Sequence, residues 1–140
     1  MLSSAYLYML DTDTASYSIR RRSQTVEERL SDIPVEQVCI SAITNAELRF
    51  GLTKLSLTHP LQQRVRAFLA ATQTLPWGEE AAEQFSIIRS RLQRSGSPIG
   101  VLDMMIAANA IAVGAVLVTN NVRHFERIGP PLMLENWHNE

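Results

Sequence analysis

The stretch from Asp103 to Val118 limits the fold more than any other part of the chain. Met104, Met105, Ile106, Ala107, Ala108, Ala110, Ile111, Ala112 and Val113 surround a helical axis with apolar or small side chains. A helix apolar on every side is buried, in the domain or at a subunit contact. Gly114 predicts its C-terminal stop. Ala115 to Val118 then follows as a continuous apolar strand, the pattern of a central parallel strand covered on both faces.

The rest of the chain alternates in the same way. Tyr6 to Leu10 reads as a short buried strand, stopped by Asp11-Thr12-Asp13-Thr14, where Asp13 or Thr14 caps a helix to about Arg22. Thr25-Val26-Glu27-Glu28 has capping-box spacing and opens a helix that Pro34 breaks. Val38-Cys39-Ile40 is a second strand. Thr44-Asn45-Ala46-Glu47 is another capping box, opening a helix through about Leu55, and Pro60 suits the first turn of the next, which runs to about Ala71. Gln73 to Leu75 is a weak third strand. Glu79 to Arg94 is amphipathic, with Ala82, Phe85, Ile88 and Leu92 on one face, and Gly96 ends it. Leu132 to Leu134 is a last edge strand, and Trp137 covers a core edge. Alternating strands and helices without hairpin signals predict a three-layer α/β/α domain with a mostly parallel central sheet of four to five strands. At 140 residues, positions 1–140 form one domain.

Composition narrows the function classes. Hydrophobic residues are 46% and charged residues 19%, as in a globular protein. The net charge of −1 gives no global positive field to mark a nucleic-acid binder, although every basic residue except Lys54 is arginine, the better phosphate fork. Cys39 is the only cysteine, which excludes an internal disulfide and a thiolate metal cluster; it reads as a small apolar strand residue. The first ten residues lack the pattern of a secretory signal, and no apolar run approaches the ~20 residues of a membrane span. A soluble cytoplasmic protein with no membrane association is the default expectation.

Three acids carry the chemical expectation. Asp11 follows the first strand, Glu47 lies early in a helix after the second, and Asp103 stands in the first turn of the buried helix. A doubly wound sheet opens its strand-to-helix junctions at one end, so these distant residues would share a crevice. Carboxylates gathered there repel unless a cation neutralises them, and a divalent cation serves phosphodiester hydrolysis. Each acid also has a local explanation. Asp11 suits an Asx turn or cap, Glu47 is the N3 residue of a capping box, and Asp103 is favoured by the helix dipole. Asn120 and Asn121 leave the fourth strand at the same end, as metal-ligating amides or as a plain turn. His124 reads as a surface residue or a base. Arg123, Ser41 and Thr44 are candidate contacts to a substrate phosphate.

Read in order, these segments resemble the VapC group of PIN-domain ribonucleases, the toxins of VapBC toxin–antitoxin pairs. Met9-Leu10-Asp11-Thr12-Asp13 is similar to the group's opening strand and first acid. Ile40 to Gly51, ISAITNAELRFG, resembles its second-acid block, and Gly100 to Ala108, GVLDMMIAA, its third. Val118 to Ile128, VTNNVRHFERI, resembles the block after the fourth strand, and Leu134-Glu135-Asn136-Trp137 the usual ending. The resemblance implies a homodimeric endoribonuclease dependent on Mg²⁺ or Mn²⁺. Asp11 and Asp103 would hold the ion, Glu47 would bind it through water or a second ion, and Asn121 would orient the attacking water. Cleavage would leave 5′-phosphate and 3′-hydroxyl ends on an RNA substrate, with tRNA common in the group. It also implies a VapB-type antitoxin that inserts an arginine among the carboxylates.

This chain departs from the group's pattern at three places. Asp13 stands where Asn is frequent, Asn120 and Asn121 stand where many PIN domains have a fourth acid, and His124 stands where relatives with paired Asn carry Glu. The number of ions and the roles of Asp13, Asn120, His124 and Glu126 stay open. Two alternatives accompany the main expectation. One is a catalytically weak or inactive PIN domain that binds RNA or a partner. The other is an aspartyl phosphatase of the haloacid-dehalogenase type, for which Asp11-Thr12-Asp13 is the nucleophile motif and Lys54 the only lysine.

Overall fold

The computed structural model describes residues 6–138. Five parallel strands form its sheet: β1 (Tyr8–Leu10), β2 (Val38–Ser41), β3 (Gln73–Leu75), β4 (Val116–Val118) and β5 (Met133–Glu135), in the order β3-β2-β1-β4-β5. The helices are α1 (Thr12–Arg20), α2 (Gln24–Asp32), α3 (Ala42–Leu52), α4 (Pro60–Ala71), α5 (Glu79–Ser95), α6 (Val101–Val113) and α7 (Val122–Glu126). The expected three-layer α/β/α arrangement is present, and the sheet is wholly parallel.

The period-two alternation of the central strands separates the two apolar layers. Met9, Cys39 and Leu117 point to one face and pack with Ile88 and Leu92 of α5, with Ile106, Ala107 and Ala110 of α6, and with Phe125. Leu10, Ile40 and Val118 point to the other face, against Ala15 and Ile19 of α1, Val26 of α2, Leu48 of α3 and Val65 of α4. Burial pushes the Cys39 thiol up to about 12, consistent with an inert packing residue. α6 is buried along Met104, Ile106, Ala107, Ala108, Asn109 and Ala110, and is most exposed at Val101, Leu102 and Val113. Gly96 and Gly114 close α5 and α6 in the left-handed conformation, as expected. Trp137 is buried against Tyr8, with its indole N–H donating to Glu135 at 2.9 Å and Arg29 over its ring.

Several helix starts differ from the sequence expectation, always by a few residues towards the N-terminus. Asp11 itself caps α1, accepting from the Thr14 N–H at 2.8 Å, so Asp13 falls in the first turn. Ser23 caps α2 in place of Thr25. Ser41, the last residue of β2, caps α3 in place of Thr44. The chain turns into each of these helices as soon as it leaves its strand or turn, and the first hydroxyl or carboxylate available takes the free N–H groups. In α5 the buried face runs through Ala81 rather than Ala82, together with Ile88 and Leu92.

Candidate active site

β1 is the switch point of the sheet: its two neighbours are β2 and β4, and the chain leaves it between the diverging connections. Asp11 occupies that position. Its backbone N–H extends the ladder to the Val118 carbonyl at 2.9 Å, and the residue is only 4% exposed. Burial pushes the carboxyl up to about 6. Hydrogen bonds from the Thr119 and Thr14 side chains and the Thr14 backbone pull the other way, and nearby Asp13 adds repulsion. Neither ion pair found among the described residues, Arg29–Glu135 and His124–Asp103, involves Asp11. It is a buried carboxylate supplied with neutral donors but no cation.

Glu47 belongs to α3 and meets α1 across the same corner. The Thr12 hydroxyl donates to Glu47 Oε1 at 2.5 Å and lies 3.1 Å from Thr44 Oγ1. Because α3 begins at Ala42, Glu47 is the sixth helical residue, not the third. The capping-box explanation of this acid therefore fails, and its side chain is directed towards the start of α1 instead.

Asp103 lies in the first turn of α6, as expected, and its Oδ2 stands 3.0 Å from His124 Nε2. His124 is no loose surface residue: its side chain is 22% exposed, against 42% for Asp103. The sequence offered no local signal for this contact, which arises only because α7 packs beside the head of α6.

The three acids therefore stand at the carboxyl ends of β1, β2 and β4, and each is engaged by its own partner: Asp11 by Thr14 and Thr119, Glu47 by Thr12, Asp103 by His124. Among the described residues, no three acidic, histidine or cysteine side chains are grouped closely enough to hold a metal ion. The expected single pocket that grips a cation is thus not ready-made among the described residues. The donor set itself fits a divalent cation: hard carboxylate oxygens, one of them buried without a counter-charge.

The remaining expected site residues divide. Ser41 and Thr44 are completely buried, one occupied as a cap and the other against Thr12, so neither hydroxyl has surface to offer a substrate phosphate, and that expectation fails. Arg123 is exposed on α7, and Asn121, at the head of α7, is exposed too, its backbone N–H donating to Thr119 Oγ1. Asn120 turns its amide to the Tyr17 hydroxyl at 3.1 Å. Glu126 is exposed at the end of α7, and Asp13 is exposed beside Asp11. The threonines Thr12, Thr14 and Thr119, which orient the acids, were absent from the sequence-based site.

A PIN domain model matches residues 8–129. The chain belongs to the VapC-type PIN-domain family. It is 37% identical over 130 residues to the tRNA(fMet)-specific endonuclease VapC of Salmonella typhimurium, covering 93% of this chain and 97% of that one. Ribonuclease VapC2 of Rickettsia felis is 34% identical, with 94% and 98% covered. The DNA-bound VapBC structure from Salmonella typhimurium superposes with a TM-score of 0.86 at 36% identity, covering 94% of this chain and 98% of the other. Membership of this family leaves no place for the haloacid-dehalogenase alternative, whose only candidate lysine, Lys54, is exposed over the Phe50 ring.

Proposed function

We propose that this PIN domain is the endoribonuclease toxin of a type II toxin–antitoxin pair, hydrolysing RNA phosphodiester bonds with Mg²⁺ or Mn²⁺. The observation that supports this best is the placement of Asp11: a buried carboxylate at the sheet's switch point, without a cation of its own, at the end of the sheet where Glu47 and Asp103 also lie. Asp11 and Asp103 would hold the ion, with Glu47 reaching it through water. When bound, a divalent cation lowers the pKa of water and offsets charge developing on the phosphate. Asn121 orients the attacking water from the head of α7, and Arg123 engages the substrate phosphate from the exposed side of the same helix. Thr14 and Thr119 keep Asp11 turned towards its ionised form, and Thr12 aims Glu47.

The VapC of Salmonella typhimurium is named for tRNA(fMet), which makes initiator tRNA the first substrate to try. The structural relatives include VapBC complexes, and a VapB-type antitoxin is the corresponding partner here. A groove of about 300 Å³ between α1, α3 and α4 suits it: Leu48, Leu52, Leu61 and Val65 give apolar walls, Glu47 beside Thr12 is its one carboxylate, and Arg20 and Lys54 also line it. An antitoxin arginine placed there would meet a carboxylate in the two-pronged geometry that guanidinium favours. The active form is proposed to be a homodimer, acting in the cytoplasm; no described helix is long and apolar enough to cross a membrane.

The test is to sequence RNA ends after cleavage by the wild type, Asp11→Asn and Asp103→Asn. New 5′-phosphate and 3′-hydroxyl ends are expected with the wild type only, and chelation should erase them. Normal cleavage by both variants would overturn the site. A second reading, a PIN domain that binds without cutting, is favoured by the separate partnering of the three acids. Calorimetric titration separates the two, because a binding-only domain takes up little Mn²⁺.

A further inference from the structure

Among the described residues, His124 supplies the one nitrogen among the side chains that hydrogen-bond to the three acids, and its placement is the least expected feature of the site. The ring is held from two sides. Phe125, 1% exposed and packed in the core, stands edge-on to it at 5.3 Å, and Asp103 Oδ2 lies 3.0 Å from Nε2. Ile128, 2% exposed, anchors the chain just beyond α7 in the same core. A side chain fixed by packing and by a hydrogen bond is preorganised for a ligand role.

The spacing carries the argument further. Two neighbouring donors of an octahedral ion bound at about 2.1 Å stand about 3.0 Å apart. The Nε2–Oδ2 separation is 3.0 Å, so the two atoms already stand at the spacing of adjacent ligands, and an ion would need each group to turn from the hydrogen-bond line towards it. Both groups also keep a route to solvent, with side chains 22% and 42% exposed. We propose that His124 Nε2 and Asp103 Oδ2 form a two-donor clasp for the site's cation, and that the imidazole directs the site towards first-row transition ions over Mg²⁺. Imidazole nitrogen favours the later first-row ions, whereas Mg²⁺ prefers oxygen and keeps its water. The assignment rests on the metal-dependent reading above, and it adds a ligand and a metal preference to it.

The test uses the full chain and reads metal binding, not cleavage. Calorimetry with Mg²⁺ and Co²⁺ would be run on the wild type, His124→Ala, His124→Gln and Asp103→Asn, with circular dichroism confirming the fold. Pulsed electron paramagnetic resonance of bound Mn²⁺ would report nitrogen directly coordinated to the ion. The wild type should show the nitrogen signal and His124→Ala should lose it. Co²⁺ affinity should fall by about 10- to 100-fold in His124→Ala, with Mg²⁺ affinity changing by less than about threefold. His124→Gln keeps an amide that can donate to Asp103, so full recovery of Co²⁺ binding in that variant would reduce His124 to a positioning residue and overturn the clasp. Mn²⁺ bound without a nitrogen signal would also overturn it and leave the metal-dependent reading intact. No binding of any of these ions by the wild type would remove both.

Discussion

Asp11 and Asp103 stand at the same end of one sheet, yet the protein holds them in opposite ways. Asp11 is buried at the switch point, capped onto α1 and surrounded by hydroxyl and amide donors. Asp103 is half-exposed on the first turn of α6 and paired with a histidine. Burial without a counter-charge raises the carboxyl of Asp11 to about 6, so it holds its proton over a pH range in which an ordinary aspartate has already lost it. Asp103 already has a group that carries positive charge whenever the imidazole is protonated. Equivalent positions in a fold therefore give unequal carboxylates, because local solvation and partners, not the strand-end location, set their charge.

The largest effect should come from the packing beneath the Asp103 corner. Phe125→Ala removes a fully buried ring and should cost about 3–5 kcal/mol, read as a fall in the urea midpoint. It should also release His124 from Asp103, detectable as a changed imidazole chemical shift; a variant of unchanged stability would mean that α7 is not anchored there.

Next in size is the pH response of Asp11. Its folded pKa, about 6, lies above the ordinary value of 3.8, so the native state binds the proton more tightly than the unfolded chain. Stability from this group is full below the unfolded value and is lost as pH rises through the folded one. Metal-free protein should thus weaken by about 2 kcal/mol between pH 4 and pH 7 through this group. Asp11→Asn keeps a good N-cap and should flatten that part of the curve. Thermal melts with chelator across that range decide it, and parallel curves for wild type and Asp11→Asn would contradict the buried, uncompensated state of Asp11. Added Mn²⁺ should raise the melting temperature more at pH 7 than at pH 5, because the ion competes with the proton.

A smaller change is expected at Thr119. Its hydroxyl supports ionised Asp11 and accepts from the Asn121 N–H, so Thr119→Val should cost about 1–2 kcal/mol and push the Asp11 carboxyl further up. Smallest of all, Asp13→Asn removes the exposed charge that repels Asp11 and should lower that carboxyl slightly. Carbon-detected NMR titration of the Asp11 carboxyl reads both, and movement in the other direction would refute the assigned causes.

Most of the architecture was legible. The all-apolar α6, the continuous β4 and the alternation of strands with helices carried the layer order, since each must bury its surface in one way. Caps were less legible. Thr44 and Ser41 are both competent caps, and the choice fell to Ser41 because the chain turns helical at once on leaving β2. That shift of three residues changed the meaning of Glu47, from a residue explained by its own helix to one turned towards α1. The same shift hid the burial of Ser41 and Thr44.

The amino-acid pattern alone determined the parallel three-layer domain and the delivery of Asp11, Glu47 and Asp103 to one end of it, because periodic burial and strand-end topology are properties of the linear order. Tertiary packing decided the state of each acid. Desolvation, a hydroxyl from a neighbouring helix and an imidazole from α7 are contacts between distant segments, and no local sequence rule encodes them.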